Sequence, residues 1–236
     1  MNLIARKLVG LLDVVAEHAV DRAARIRYKE EINIGRRLAI KAAEESTEYA
    51  AEHMRGAVWF NSRNPFLQAC VRAVARRPGD VLEFGVWEGK SINIIAAETK
   101  AAIFGFDSFE GLPEDWKGHQ VQAGGFSTGG KLPTVPAHVS FYKGWFKDTI
   151  PQYMRDRNEP ISFMYIDCDL YSSTKTVLEL LADRITAGTV IGFDEYYNYP
   201  NWREGEFKAF REFIDATGRS YEYMFFSDRE VAVRIQ

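Results

Sequence analysis

Cysteine is scarce in this chain, and its scarcity excludes two kinds of structure. The 236 residues contain two cysteines, Cys70 in a helical pattern and Cys168 between two aspartates. Neither has a second cysteine or a histidine at metal-ligand spacing, so the sequence predicts no disulfide framework and no zinc site. This usage is typical of a reducing cytoplasm, where we expect the protein to reside.

An excess of charge of one sign and a long apolar run are also lacking. The formal net charge is -3, from 30 basic and 33 acidic side chains, so we expect no nucleic-acid partner. The apolar run Leu8–Leu12 is followed by Asp13 and by no small-residue cleavage site, so we expect neither stable membrane insertion nor a secretory leader. Small or neutral substrates are favoured.

The patterns that are present predict one α/β core preceded by helices. A length of 236 residues suits one domain with an appendage, which we place at residues 56–236 and 1–55. Apolar residues recur at helical spacing from Leu3 to Ala19. This stripe would pack on its own domain or on a second subunit, and we predict a homodimer. Peripheral membrane contact is the alternative, because basic residues follow the stripe: Arg22, Arg25, Arg27 and Lys29.

The segment Glu83–Ser91 joins a strand pattern to a helical pattern. Gly85 and Gly89 would let the backbone approach a ligand closely, and the helix start offers free N–H groups. The order is not the Gly-x-Gly-x-x-Gly of dinucleotide sites, and Glu83 would repel a pyrophosphate but attract an ammonium group. S-adenosylmethionine carries an ammonium, a sulfonium and a carboxylate, and Ser91 is a partner for the last. The alternative is an ordinary strand–turn–helix corner.

A second carboxylate supports the cofactor interpretation. Asp107 ends the next strand pattern, Ala102–Asp107, at about the spacing that places an acid on ribose hydroxyls in parallel sheets. A lone aspartate after a strand is usually a helix N-cap. As the second member of a pair with Glu83, Asp107 is predicted to bind the ribose.

Four motifs in order carry a resemblance to a known family. They are Glu83–Ser91, Phe106–Pro113, Lys143–Pro151 and Ile166–Thr174. Together they resemble the macrocin O-methyltransferase family of class I S-adenosylmethionine-dependent methyltransferases, over about residues 55 to 236. The resemblance implies methylation of sugar hydroxyls. Two further residues of these motifs, Trp87 and Ser108, join the predicted cofactor contacts.

The fold class follows from strand patterns that alternate with helical ones and end in a hairpin at Tyr221–Phe226 and Glu230–Ile235. We predict an α/β fold with a doubly wound, mostly parallel, seven-stranded Rossmann-like sheet and a C-terminal antiparallel hairpin. The glycine-rich stretch Ser108–Ala137 is interpreted as a mobile substrate lid, with plain disorder as the alternative. Trp145 and Phe146 are predicted to pack on the adenine or else in the core.

Acids follow two neighbouring strand patterns: Asp167 after one, and Asp194 and Glu195 after the other. Strand ends on one edge would bring these carboxylates together, so a cation should lie between them, and three oxygen ligands suit Mg²⁺. The resemblance implies the same three ligands. Helix caps or surface ion pairs are the alternative. Asp169 would share a face with Asp167, and we assign it to the N-cap of the helix that begins near Ser172.

The predicted reaction is an in-line attack of a substrate hydroxyl on the sulfonium methyl, with the proton taken by Asp167 or released with help from the metal. We predict an O-methyltransferase dependent on S-adenosylmethionine and Mg²⁺, acting on a sugar hydroxyl of a glycoside or oligosaccharide. A weaker resemblance to catechol-type methyltransferases would put their general-base lysine near Leu170, which argues against a catechol. A phenolic substrate and a non-catalytic cofactor-binding protein are the alternatives.

Overall fold

The structure, a computed structural model, describes residues 15–16, 18–25, 28–29 and 32–236. Residues 18–25 are helical and exposed, but most of the Leu3–Ala19 stripe lies outside the described residues. In the part of the chain that is described, no helix has both the length and the hydropathy that crossing a bilayer requires.

Strands and helices alternate along most of the chain. The strands are β1 Val58–Trp59, β2 Asp80–Phe84, β3 Ile103–Asp107, β4 Val139–Lys143, β5 Ile161–Ile166, β6 Val190–Phe193, β7 Tyr221–Phe226 and β8 Val231–Ile235. The helices are α1 Ile34–His53, α2 Arg63–Ala73, α3 Lys90–Glu98, α4 Phe146–Asp156, α5 Tyr171–Leu180 and α6 Glu206–Thr217, with short 3-10 turns at Ala182–Arg184 and Trp202–Glu204.

The strands form one sheet in the order β1-β7-β8-β6-β5-β2-β3-β4. Strand β8 runs antiparallel to β6 and β7, and the other strand pairs described are parallel. The predicted mostly parallel sheet with a closing hairpin is therefore confirmed, but the described sheet has eight strands rather than seven. The extra strand, β1, has two residues and pairs with β7 at the sheet edge. Two residues are too few to produce a recognisable strand pattern.

Burial of the central strands explains why their ends meet. Every residue of β2 and β5 is buried, as expected for parallel strands covered by helices on both faces. Their register sets Phe84 opposite both Phe106 and Ile166, and Ile166 opposite Phe193. The residues that follow these positions therefore lie side by side at the carboxyl edge of the sheet, where open α/β sheets bind ligands.

Helix α1 is attached to the domain through its C-terminal half. The Tyr49 and Tyr223 hydroxyls are 2.6 Å apart, and the backbone N–H of Asn198 donates to Ser46 Oγ at 2.9 Å. The sequence also predicts a helix from about Arg36 to Met54, because this Ala- and Glu-rich segment has no internal breaker. The structure confirms it within two residues at each end, and its C-terminal half packs on the closing hairpin.

The N-terminal half of α1 exposes apolar side chains. Ile34, Leu38 and Ile40 are 64%, 49% and 51% exposed. Exposed apolar surface of this kind supports the prediction of a dimer. The structure contains one chain, so the dimer stays a prediction. Deleting residues 1–30 should yield a monomer in sedimentation experiments. A full-length protein that sediments as a monomer at micromolar concentration would refute the prediction.

Candidate active site

A cavity of about 710 Å³ lies at the carboxyl edge of the sheet. Ten of the residues predicted from the sequence line it: Gly85, Trp87, Ser91, Asp107, Ser108, Trp145, Phe146, Asp167, Asp194 and Glu195. The other two predicted residues, Glu83 and Gly89, do not line the cavity. The structure thus brings the two sets of predicted residues, cofactor contacts and acids, to one place.

The glycines of the loop after β2 are required by their conformations. Gly85 has a φ of 88°, and a Cβ at this position would collide with the backbone carbonyl of Asp167. Gly89 has a φ of 79°, precedes α3, and a Cβ there would come within 2.7 Å of Pro133. Both positions therefore select glycine, because other residues would add strain and a clash.

Glu83, the last residue but one of β2, is fully buried, and its partner Ser91 lines the cavity. Ser91 Oγ donates to Glu83 Oε1 at 2.6 Å, while Glu83 Oε2 has no hydrogen-bond partner among the described residues. Burial raises the pKa of Glu83 from 4.5 to about 8, and the bond from Ser91 offsets part of this rise. Ser91 was predicted to bind a ligand carboxylate, but in this structure its hydroxyl donates a hydrogen bond to Glu83.

Asp107 holds the glycine loop in place. Its Oδ2 accepts hydrogen bonds from the backbone N–H groups of Val86 and Trp87, both at 2.8 Å, and its Oδ1 accepts one from Phe109 at 2.6 Å. No helix follows it directly, so the helix-cap alternative is wrong. Trp87 adopts a φ of 47°, a left-handed conformation that is strained for an aromatic residue.

Arg63, the first residue of α2, is the main functional candidate outside the predicted site residues. The sequence suggested only that Asn61, Ser62 and Arg63 lie in a loop near the amino-acid end of the cofactor. Its Nη2 forms ion pairs with Asp167 Oδ2 and, at 2.9 Å, with Asp194 Oδ1. Its Nε donates to the Tyr165 hydroxyl at 3.0 Å, and that hydroxyl donates to Asp194 Oδ1. The sequence predicted a cation between the two aspartates. In this structure the cation is a guanidinium contributed by a residue about a hundred positions away.

Glu195 does not join the two aspartates. Its two carboxylate oxygens accept hydrogen bonds from Arg229 Nη1 at 3.0 and 3.2 Å. Across the described residues, no group of three or more His, Cys, Asp or Glu side chains is arranged to hold a metal ion. The predicted three-carboxylate Mg²⁺ site, with Asp167, Asp194 and Glu195 as ligands, is therefore not assembled in this arrangement.

Asp169 was assigned to a helix cap, and this assignment is wrong. The cap position of α5 belongs to Leu170, and no side chain bonds the first turn there. Asp169 has a φ of 63° and lines the cavity. Burial, with the nearby carboxylates of Glu195 and Asp194, raises the pKa of Asp169 from 3.8 to about 7.

The long loop Ser108–Ala137 covers one side of the cavity. Two backbone hydrogen bonds join Leu112 to the Gly124–Gly125 pair: Leu112 N–H donates to Gly125 O, and Gly124 N–H donates to Leu112 O, both at 2.9 Å. Phe126 meets the Trp87 ring edge-on, with centroids 5.6 Å apart. These contacts give the loop a defined path over the site, and its role as a lid stays a prediction.

Trp145 and Phe146 begin α4 beside the same cavity. Both are only partly buried, and Phe146 packs edge-on against Phe84 with ring centroids 5.6 Å apart. Neither ring is enclosed in the core, so each keeps a face at the cavity. Contact with an adenine ring stays a prediction for both.

Comparison with known proteins identifies the family. A protein-family model described as a methyltransferase domain matches residues 82–196. The chain is 31% identical to mycinamicin III 3''-O-methyltransferase of Micromonospora griseorubida, covering 66% of this chain and 69% of that protein. The chain belongs to the macrocin O-methyltransferase family. This family membership agrees with the four ordered motifs.

Other known proteins are also similar to this chain. An O-methyltransferase of Streptomyces olivaceus, named for the 4'-position of a dimethoxyrhamnosyl-tetracenomycin C, is 33% identical over 55% of this chain and 58% of its own length. The calicheamicin methyltransferase CalS11 superposes with a TM-score of 0.62 at 25% identity, covering 72% of this chain and 77% of that one. The chain spans between 58% and 69% of the curated relatives' lengths.

Proposed function

We propose that this chain transfers a methyl group from S-adenosylmethionine to a sugar hydroxyl of a glycoside or oligosaccharide. The observation that carries the proposal is the shared cavity, in which the residues predicted for the cofactor and the acids predicted for the chemistry line one wall. The relatives support the sugar, because one is named for position 3'' of mycinamicin III and another for a rhamnosyl-tetracenomycin.

The residues present fit S-adenosylmethionine. A glycine cradle at Gly85, which a Cβ would fill, offers close backbone approach. The unpartnered Oε2 of Glu83 would accept a hydrogen bond from the ammonium group, and Asp107, at the end of β3, would bind the ribose hydroxyls. Half-buried rings at Trp145 and Phe146 would hold the adenine. When bound, the cofactor would supply a methyl group on a sulfonium.

The chain's own task is then to orient the acceptor and take its proton. Asp167 is the proposed base, because it lines the cavity and because burial and the Asp194 carboxylate raise its pKa, against the effect of Arg63. The Arg63 guanidinium holds the carboxylates of Asp167 and Asp194 in fixed positions. Fixed orientation of this kind contributes much of the rate in displacement reactions.

The magnesium part of the proposal rests on two carboxylates rather than three. Asp167 and Asp194 converge on one cationic atom of Arg63, which supports a position for a cation between them. They are the residues that would hold Mg²⁺, in competition with Arg63, whereas Glu195 does not fit as a third ligand while it is paired with Arg229. Such an ion would polarise the attacking hydroxyl.

Methyl transfer to a panel of glycosides tests the proposed function. We expect label from methyl-labelled S-adenosylmethionine to appear on a sugar hydroxyl of at least one glycoside, with simple phenols and catechols unlabelled. Mass spectrometry of the product would locate the methyl group. Labelling of phenols without any glycoside would overturn the sugar assignment, and cofactor binding without transfer to either class would favour a non-catalytic protein.

A further inference from the structure

A second cavity of about 490 Å³ adjoins the first. Trp116, Asp169 and Ser172 line both cavities, so they form the boundary between them. The second cavity is enclosed by the long loop on one side and by the segment before α6 on the other. Gly118 of the loop lies so close to Asn201 that a Cβ on it would be 3.3 Å from the Asn201 amide nitrogen. Because the cavities share three lining residues, the second lies next to the first, where another part of the same ligand would lie.

Aromatic rings form part of the wall of the second cavity. Trp116 is stacked on His119 with ring centroids 3.9 Å apart and an interplanar angle of 16°, which fixes its orientation. The rings of Tyr171 and Tyr199 also line the cavity. Aromatic faces carry partial negative charge, so they attract the polarised C–H groups on the flat face of a sugar ring.

Most of the other residues that line the second cavity have polar side chains. Lys208 Nζ donates to Glu204 Oε2 at 2.7 Å, and Ser172 Oγ donates to Glu114. The other charged or amide side chains of the wall are Asp115, Lys117, Asp169 and Asn201. Carboxylates, amines and amides are the groups that bond sugar hydroxyls. Among the described lining residues the only aliphatic ones are Leu170 and Pro200, so most of the apolar contact in this cavity would come from aromatic rings and from the carbon chains of polar residues.

The charge of the second cavity disfavours ligands that carry phosphate groups. Four acids, Glu114, Asp115, Asp169 and Glu204, line the cavity against two lysines, Lys117 and Lys208. An excess of carboxylates repels a diphosphate, so a nucleotide-activated sugar is disfavoured here. A neutral, hydroxyl-rich group is favoured instead.

We propose that the second cavity binds a second sugar residue of the acceptor, so that the substrate is a disaccharide or longer saccharide methylated on the sugar held in the first cavity. This inference rests on the proposed function and specifies its substrate class. The second sugar would stack on the fixed Trp116 ring and bond the Lys208–Glu204 pair.

Matched pairs of acceptors test the inference. Each pair consists of a methyl monoglycoside and the methyl disaccharide with the same sugar at its non-reducing end, for rhamnose, glucose, galactose, mannose and fucose, together with the matching octyl and phenyl monoglycosides. For the sugar that is methylated, we expect kcat/KM to be about tenfold higher for the disaccharide, the gain of one charge-assisted hydrogen bond. In Lys208→Ala this ratio should fall to within about twofold of one.

Lys41→Ala is the matched control, because Lys41 and Lys208 each form an ion pair with a glutamate four residues away in the chain. Lys41 lines neither cavity, so its variant should keep the ratio. Equal kcat/KM for both members of the methylated pair would overturn the inference, as would a preference for the octyl or phenyl glycoside over the disaccharide. Transfer to none of the saccharides would instead count against the proposed function itself.

Discussion

Replacing Asp167 by asparagine is expected to lower kcat by about 10²–10⁴-fold, the usual contribution of a general base. The amide keeps the shape of the side chain but cannot take a proton. Arg63 retains Asp194 as an ion-pair partner, so the fold should remain intact. Single-turnover kinetics with labelled cofactor would measure the chemical step, and calorimetry should find the S-adenosylmethionine affinity within about twofold of the wild type.

A chelator separates the two roles proposed for Asp167. If Asp167 and Asp194 hold Mg²⁺, excess chelator should abolish turnover and added Mg²⁺ should restore it. The matched control for Asp167→Asn is Asp183→Asn, which changes an exposed aspartate outside the cavity and should leave kcat unchanged. Complete methylation of a glycoside in excess chelator would refute the metal part, and an undiminished kcat in Asp167→Asn would refute the base.

Replacing Glu83 by glutamine is expected to weaken S-adenosylmethionine binding by about 1.5–3 kcal/mol, the value of a hydrogen bond to a charged group. Glutamine keeps an acceptor for Ser91 Oγ but removes the negative charge proposed to bind the ammonium group. Asp107→Ala in the same titrations should cost about 1–3 kcal/mol through lost hydrogen bonds. Calorimetric titration of each purified variant would measure both.

The raised pKa of Glu83 should make both the stability of the protein and its affinity for S-adenosylmethionine depend on pH. Its pKa is about 8 in the folded protein and about 4.5 when unfolded, so ionisation becomes less favourable on folding. The free energy of unfolding should therefore fall as the pH rises through this window. Affinity for the ammonium group should rise toward pH 8, by up to about tenfold per unit, because binding favours the ionised acid.

The rise in affinity with pH should vanish in Glu83→Gln. The fall in the free energy of unfolding should become smaller but persist, because burial also raises the pKa of Asp169. The control is Glu98→Gln, because Glu98 pairs with Arg72 outside the cavity. An affinity for S-adenosylmethionine that has the same pH dependence in wild type and Glu83→Gln would remove Glu83 from the cofactor site.

Local patterns were sufficient where the feature depends on neighbours in the chain. The strand before Glu83 and the glycines after it were predicted because a buried parallel strand and a tight turn each leave a short-range signature. Asp167 and Asp194 were predicted to be neighbours because parallel strands end at one edge. The missed strand β1 has two residues and depends on pairing with β7, more than a hundred residues later.

The sequence by itself therefore determined the fold class, the family and the edge of the sheet that carries the site. The tertiary structure decided which charges meet there. Arg63 lies between Asp167 and Asp194, Glu195 faces Arg229, and Asp169 takes a left-handed conformation instead of capping α5. These pairings join residues far apart in the chain, and they depend on how loops and helix ends pack over the sheet. Short-range periodicity carries no information about such packing.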